Sequence, residues 1–152
     1  MSAEQRLVEL AIELPPVRPP AGMYVPAVRT GNLVYLSGAG PLAADGTMVT
    51  GKVGRDLDQI AAKAAARLVG LQLLAALRAE LGSLDHVVRV VKLLGMVNCA
   101  PGFNRTPFVI DGCSELFIEV FGEAGRGARS AVGMAELPAD IAVEIEAIVE
   151  VC

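Results

Sequence analysis

The sequence contains no tryptophan, only 2 tyrosines and 4 phenylalanines, and a single histidine, His86, among its 152 residues. Its 3 cysteines form no C-x-x-C pair, so the spacing of a zinc site cannot be built. They are also too few and too widely spaced to staple a small secreted domain, and reduced thiols are typical of cytoplasmic proteins. We therefore expect a cytoplasmic protein with no metal and no cofactor.

Basic residues are not concentrated in any segment. The chain has 13 Lys and Arg against 17 Asp and Glu, a net charge of −4, which lacks the positive patch of a nucleic-acid-binding protein. The first ten residues include Glu4, Arg6 and Glu9, where a signal peptide needs an apolar run. The longest uncharged stretch, 30–44, is interrupted by glycine and proline and predicts a strand and a turn. We expect no nucleic acid and no membrane partner.

Apolar residues are present in excess. Counted with the 16 glycines and without tyrosine, the apolar share is about 62%, compared with 45–50% in ordinary soluble domains. So large an apolar share excludes a disordered chain. Because a protein of this size cannot easily cover so much apolar surface, we expect part of it, including strand 87–97 and the small residues of 131–135, to be buried against other copies.

Local patterns predict an α/β order of elements. Helical spacing occurs near the N-terminus and in two later segments, and the run from Pro15 to Pro20 predicts an extended arm. Asp56 and Gln59 resemble a capping box at the start of the long helix. The predicted helices are 3–14, 57–81 and 114–121, and the predicted strands are 23–28, 33–37, 47–49, 87–97, 128–136 and 143–151.

The last two strands flank residues 137–140, which predicts a terminal hairpin. In the final strand, Val143, Ile145, Ala147, Val149 and Val151 share one face while three glutamates share the other, as expected of a half-buried strand. The whole order predicts a mixed sheet with helices on one side.

The candidate ligand-binding residues are concentrated in the glycine-rich segment 122–133. Arg126 and Arg129 flank the start of a strand, and Arg129, Ala131 and Gly133 share one face of it. A guanidinium beside small residues can bind a carboxylate in bidentate fashion, although the same arginine could equally pair with a structural carboxylate.

Four stretches of the chain together resemble one known family. They are GMYVPAVRTGNLVYLSGAGPL (22–42), VKLLGMVN (91–98), IDGCSELFIEVFGE (110–123) and ARSAVGMAELPADIAVEIEAIVEV (128–151). On these motifs the chain resembles the RidA (YjgF) family, also known as endoribonuclease L-PSP, and is similar to a divergent branch of it. The resemblance implies one α+β domain over residues 1–152, with a chorismate-mutase-like sandwich, two main helices on one face of a mixed sheet, and an extra N-terminal helix and proline-rich arm in residues 1–20.

The resemblance also implies an activity and its residues. It implies a homotrimer that hydrolyses enamines and imines, such as 2-aminoacrylate and its imine, to a 2-keto acid and ammonia in clefts between subunits. The family's essential arginine falls on Arg129 and its water-activating glutamate on Glu144. Its remaining cleft residues fall on Tyr24, Ser37, Gly38 and, in place of an asparagine, Asp111, while backbone groups near Ala131 complete the polar contacts.

Three departures from the family pattern affect the expected chemistry. Ala131 stands where many members have cysteine, Gly127 where this branch has histidine, and Asp111 adds a negative charge near a carboxylate substrate unless Arg126 compensates. The departures favour an alternative function, a protein that binds a small carboxylate or keto acid without turnover. A ribonuclease function, which the older family name suggests, does not fit a chain of net charge −4, because RNA binding depends on positive charge that contacts the phosphates.

A terminal hairpin would also separate the two candidate catalytic residues. It would place Glu144 opposite Gly133, with Arg129 on the same face but roughly 13 Å along the strand. A three-carbon substrate cannot contact both side chains at that separation. We therefore expect Arg129 and Glu144 of one site to come from neighbouring subunits.

Overall fold

A computed structural model describes residues 1–152 and contains a five-stranded mixed sheet with helices against one face. The order of strands across the sheet is β1-β2-β5-β3-β4, with β3 and β4 parallel and every other neighbouring pair antiparallel. The elements are α1 (Ala3–Glu9), β1 (Ala27–Thr30), β2 (Leu33–Ala39), α2 (Gln59–Leu81), β3 (Val87–Asn98), α3 (Thr106–Phe121), β4 (Ala128–Met134) and β5 (Val143–Val151). Short 3₁₀ turns cover Leu84–His86, Gly122–Gly125 and Pro138–Asp140.

The two faces of the sheet differ in what covers them. The odd-numbered residues of β5 are buried under the helices, as the alternation predicted, whereas Glu144 and Glu146 lie on the opposite, open face. Val28, Tyr35 and Val132 on that open face are between 39 and 53% exposed. The predicted α+β sandwich is confirmed, and one side of its sheet carries exposed apolar side chains.

The helix layer consists of α2 and α3, which pack against each other through glycine. A Cβ at Gly112 on α3 would collide with the backbone carbonyl of Lys63 on α2, and a Cβ at Gly95 on β3 would lie 2.5 Å from Ile110. The small residues therefore allow the helices to approach each other and the sheet closely. By length and composition alone α2 could cross a bilayer, but half of its most apolar window is buried inside the fold.

Several helix ends differ from the sequence predictions. Asp58, not Asp56, caps α2 by accepting a hydrogen bond from the Ala61 amide at 2.8 Å. Helix α1 ends at Glu9 because Ala11 adopts a φ of 53° and closes a C-terminal turn, well before the prolines that were expected to stop it. Helix α3 begins eight residues before the predicted Ser114, since Pro107 lies in its first turn, where proline is favoured.

Two strand predictions are also wrong. Residues 23–26 lie outside β1, where Pro26 has no amide to donate, so the strand is shifted toward the turn at Gly31. Residues 47–49 form only isolated bridge contacts around Met48 and Thr50.

The predicted terminal hairpin does not form. β4 and β5 do not pair, because β3 lies between them, parallel to β4 and antiparallel to β5. Arg129 is paired with Leu93, and Glu144 with Met96. Gly133 of β4 faces Cys99 and Thr106 on the helix side of the sheet.

Candidate functional site

Arg129 lies on the edge strand β4, with its side chain on the helix side of the sheet. Its Nη1 donates hydrogen bonds to Asp111 Oδ1 at 2.6 Å and Ser114 Oγ at 3.1 Å, and Nη2 donates to the Pro107 carbonyl at 3.4 Å. The side chain is only 25% exposed. A guanidinium has five N–H donors, so these contacts orient it and leave donors for a ligand.

A polar depression of about 330 Å³ opens beside this arginine. Arg126 also lines it, but its guanidinium makes two hydrogen bonds to Glu123 at 3.0 and 3.2 Å. Ala131 follows Arg129 on the same face, and its carbonyl accepts a hydrogen bond from the Thr106 hydroxyl at 2.9 Å. The structure thus brings together four predicted residues, which we call the arginine half-site: Asp111, Arg126, Arg129 and Ala131.

Glu144 lies on the open face of β5, directly against the backbone of β2. A Cβ at Gly38 would come within 2.8 Å of Glu144 Oε2, so a larger residue at this position would displace the carboxyl group from its observed place. Burial, together with the charge of Glu146, raises the pKa of Glu144 above its ordinary value. A carboxyl group with a raised pKa can hold and release a proton closer to neutral pH.

Tyr24 and Ser37 lie beside Gly38, where the N-terminal arm meets the end of β2. The Ser37 hydroxyl donates a hydrogen bond to the Val25 carbonyl at 2.6 Å, and the Tyr24 hydroxyl accepts one from the Ala21 amide at 3.3 Å. The Ser37 bond therefore ties the arm to β2, whereas the Tyr24 bond is local to the arm. We call Tyr24, Ser37, Gly38 and Glu144 the glutamate half-site.

The two half-sites are separated within one chain. Arg129 and Glu144 are two strands apart and offset by three residues along β3, which places their Cα atoms roughly 14 Å from each other. Their side chains also leave opposite faces of the sheet. A single small substrate cannot contact both residues of the same chain.

Comparison with known proteins identifies the family. Residues 4–145 match the family model described as YjgF/chorismate_mutase-like. The chain is 34% identical over 139 residues to the 2-iminobutanoate/2-iminopropanoate deaminase of Dermatophagoides farinae, which covers 91% of this chain and 93% of that protein. The chain belongs to the YjgF/RidA family.

Two other known proteins are more similar to this chain in sequence. Protein TCP17 of Trypanosoma cruzi is 44% identical over 145 residues, covering 95% of this chain and 91% of that protein. The crystal structure of Atu1372, a protein of unknown function from Agrobacterium tumefaciens, is 47% identical with a TM-score of 0.90, covering 99% of this chain and 92% of that one. The fold of this YjgF/RidA member therefore matches that of Atu1372 over nearly the whole chain.

Neither inward-facing cysteine has the environment of a nucleophile. Burial raises the pKa of Cys113 to about 12, and burial also raises the pKa of Cys99, against the opposing charge of Lys52. Both thiols therefore stay protonated at neutral pH, whereas the thiolate is the reactive form. The structure contains no group of three or more His, Cys, Asp and Glu side chains able to hold a metal ion.

Sequence reasoning missed Ser114 as a partner of Arg129. Asp111 and Ser114 are three residues apart and therefore lie on one face of α3, which presents both to the guanidinium. The signal was the proline at position 107: reading it as a helix start would have placed both residues on one helix.

Proposed function

We propose that this YjgF/RidA protein is a cytoplasmic homotrimer that hydrolyses reactive enamines and imines to a 2-keto acid and ammonia, without a cofactor. Its substrates are small carboxylates of the 2-aminoacrylate and 2-iminopropanoate type, and it has no nucleic-acid or membrane partner. The deaminase from Dermatophagoides farinae supports the reaction class. The free thiols of Cys99, Cys113 and Cys152 support a reducing compartment.

One observation carries the proposal: each chain holds two half-sites that cannot meet. The arginine half-site provides a carboxylate-binding guanidinium, and the glutamate half-site provides a proton-transfer group. The exposed apolar residues of the open sheet face give a second copy a surface to bury. In a closed trimer, the arginine half-site of one subunit faces the glutamate half-site of the next, and three identical clefts form.

In this cleft Arg129 binds the substrate carboxylate and fixes the imine carbon in place. Ser114 and the Pro107 carbonyl hold the guanidinium in its orientation. Glu144 from the neighbouring subunit accepts a proton from a water molecule as the water oxygen bonds to the imine carbon and the C=N π electrons move to nitrogen.

The intermediate is a carbinolamine, and its breakdown completes the reaction. Glu144 returns the proton to the nitrogen, which completes the neutral carbinolamine. Glu144 then takes the hydroxyl proton and passes it to the amino nitrogen, as the C=O bond forms and the C–N bond breaks with its electron pair leaving on ammonia. The hydrolysis written in this way needs no oxidant, reductant or cofactor. The raised pKa of Glu144 suits a group that must both accept and return a proton near neutral pH.

The test uses 2-iminopropanoate generated from alanine by an amino-acid oxidase, with the spontaneous rate subtracted. Wild type should accelerate hydrolysis, and Arg129→Ala should lose most of the acceleration. Arg55→Ala is the matched control, because it removes an exposed guanidinium that pairs only with its neighbour Asp56. Equal rates for wild type and Arg129→Ala would contradict the proposed deaminase activity.

Binding of a small carboxylate without turnover is the second candidate, and Ala131 favours it, because alanine has no reactive side chain where many members of the family have cysteine. The Asp111 carboxylate, 2.6 Å from Arg129 Nη1, offsets part of the charge that a ligand carboxylate would meet in either function. Calorimetry with pyruvate alongside the imine assay separates the two functions. Saturable binding without any rate acceleration would identify a ligand-binding protein.

A further inference from the structure

One lysine is held inside the fold by oxygen atoms at the ends of β3 and β4. The side chain of Lys52 is only 14% exposed, and its Nζ donates to Asn98 Oδ1 at 2.7 Å and to the Ala135 carbonyl at 2.5 Å. The Glu136 carboxylate lies 3.5 Å from the same nitrogen. An ammonium group has three donors and no acceptor, so each donor of Lys52 faces an oxygen atom. Ala135 and Glu136 directly follow β4, the strand that carries Arg129.

Asn98 extends this contact to the segment before β5. Its side chain is fully buried, and Nδ2 donates to Asp140 Oδ1 at 2.9 Å and to the Ile141 carbonyl at 3.1 Å. β5 begins two residues after Ile141, and Glu144 is the second residue of that strand. The contact between Lys52 and Asn98 therefore fixes the chain immediately ahead of Glu144.

This segment needs support because its backbone is strained. Ala139 and Asp140 have φ values of 53° and 58°, in a region that residues with a side chain adopt only at a cost in energy. The neighbouring strand gives β5 little help at this corner, since the register between β2 and β5 is interrupted next to Gly38. Without the lysine, the start of β5 is free to relax and to carry Glu144 with it.

We propose that Lys52 is a positioning residue: through Asn98, its ammonium group holds the Glu144 carboxyl group in the place from which it transfers a proton. The inference rests on the proposed role of Glu144 in imine hydrolysis. Lys52 acts through other residues and not on the substrate itself. It also ties the end of β4 to the start of β5, so one side chain connects the two strands that carry the half-sites.

The ionisation of Glu144 reports its position without an enzyme assay. Burial and the charge of Glu146 raise the pKa of Glu144, and Lys52 is not among the groups that shift this pKa. The residues that lie against Glu144 on β2 and β3, Gly38 and Met96, carry no charge. A change in the pKa of Glu144 in a Lys52 variant therefore indicates that the carboxyl group has moved.

The experiment titrates protein labelled with carbon-13 glutamate by NMR, with the Glu144 signal assigned by its loss in Glu144→Gln. In Lys52→Met the carboxyl group should be better solvated, so its pKa should fall toward the ordinary value. Loss of the lysine charge alone would raise this pKa, so the direction separates displacement from electrostatics. An unchanged or raised pKa would overturn the inference.

Kinetics give a second readout. Lys52→Met should lower kcat for 2-iminopropanoate by about 3- to 10-fold, because a misplacement of about 1 Å can cost up to about 100-fold. KM should change less, since Arg129 is at the opposite end of β4 from the lysine contact. Lys63→Met is the matched control, because it removes a lysine that pairs with Glu115 at 2.9 Å between α2 and α3, and it should leave the titration of Glu144 unchanged.

A second variant keeps the test decisive if Lys52→Met folds poorly. Asp140→Gly removes the carboxylate that accepts from Asn98 and adds no backbone strain, because glycine readily adopts a positive φ. It should lower the pKa of Glu144 in the same direction. If wild type hydrolyses no imine, the deaminase proposal fails, but the titration still decides whether Lys52 positions Glu144. The same Glu144 pKa in wild type and both variants would overturn the inference.

Discussion

Replacing Gly38 by alanine tests whether the position of Glu144 determines the rate. The new Cβ would lie 2.8 Å from Oε2, 3.0 Å from Cδ and 3.1 Å from Cγ of Glu144. Ordinary contacts of a Cβ atom begin at about 3.4 Å, so these atoms must retreat by about 0.3–0.6 Å. Because Cγ is among them, rotating the carboxyl group alone does not relieve the clash.

The expected consequence is a loss of turnover with little loss of substrate binding. A misplacement of about 1 Å in a reacting group can lower the rate by up to about 100-fold, so a displacement of about half that size in Gly38→Ala should reduce kcat for 2-iminopropanoate by about 3- to 10-fold. KM should change much less, because Arg129 lies on the other face of the sheet and is not disturbed. Steady-state kinetics with in situ imine generation measures both constants.

A double-mutant cycle shows whether the effect of Gly38→Ala passes through Glu144. If the alanine acts by displacing this carboxyl group, adding it to Glu144→Gln should reduce kcat little further. Two reductions that multiply, or a Gly38→Ala variant with wild-type kcat, would refute the reasoning. A melting temperature for each variant separates displacement of the side chain from loss of the fold.

Three further predictions follow from the contacts. Removing the internal charge by Asp111→Asn should tighten pyruvate binding to Arg129 by about 2- to 5-fold, as measured by calorimetry, since the pair is partly exposed and screened; weaker binding would show that Asp111 mainly orients the arginine. Glu144→Gln should melt at a higher temperature than wild type at pH 7.5. This difference in melting temperature should close as the pH falls through the raised pKa of Glu144, because the carboxyl group of wild type then becomes neutral. A difference that does not change with pH would contradict this. Gly112→Ala should be destabilised by about 1–3 kcal/mol or more in denaturant titrations, because its Cβ meets the Lys63 carbonyl; wild-type stability would show that the two helices can separate at no cost.

The elements with strong local patterns could be predicted from the sequence. The alternation in 143–151 predicted the correct bounds and faces of β5, and the apolar run from Val87 predicted that β3 is an interior strand, which lies between β5 and β4. Gly82 ends α2 in a left-handed conformation, as its position after the apolar stripe indicated. These features depend on residues close together in sequence.

The pairing of β4 could not be predicted in the same way. Its partner is β3, which precedes it in the chain by some 30 residues and an intervening helix, and local patterns do not encode which distant strand is adjacent. Assuming a terminal hairpin therefore placed Arg129 and Glu144 on one face. The observed order places them on opposite faces and makes the case for two subunits stronger than the sequence argument did.

For a similar reason, the residues of the candidate site could be predicted from the sequence but their contacts could not. The resemblance to the family indicated Arg129, Glu144, Gly38 and Asp111. The alternation of side chains along the strand placed Arg129 on the same face as small residues. The contact of Asp111 with Arg129 depends on the register of α3 against β4. That register does not follow from residue spacing within one segment.

Complementation between inactive subunits tests the central claim that neighbouring chains share each cleft. Arg129→Ala and Glu144→Gln subunits, each inactive alone, are mixed in equal amounts, unfolded and refolded together, and assayed with 2-iminopropanoate. A cleft formed by Arg129 of one chain and Glu144 of the next should recover about a quarter of wild-type activity in randomly mixed trimers. Mixtures that stay as inactive as the separate variants would contradict the shared cleft.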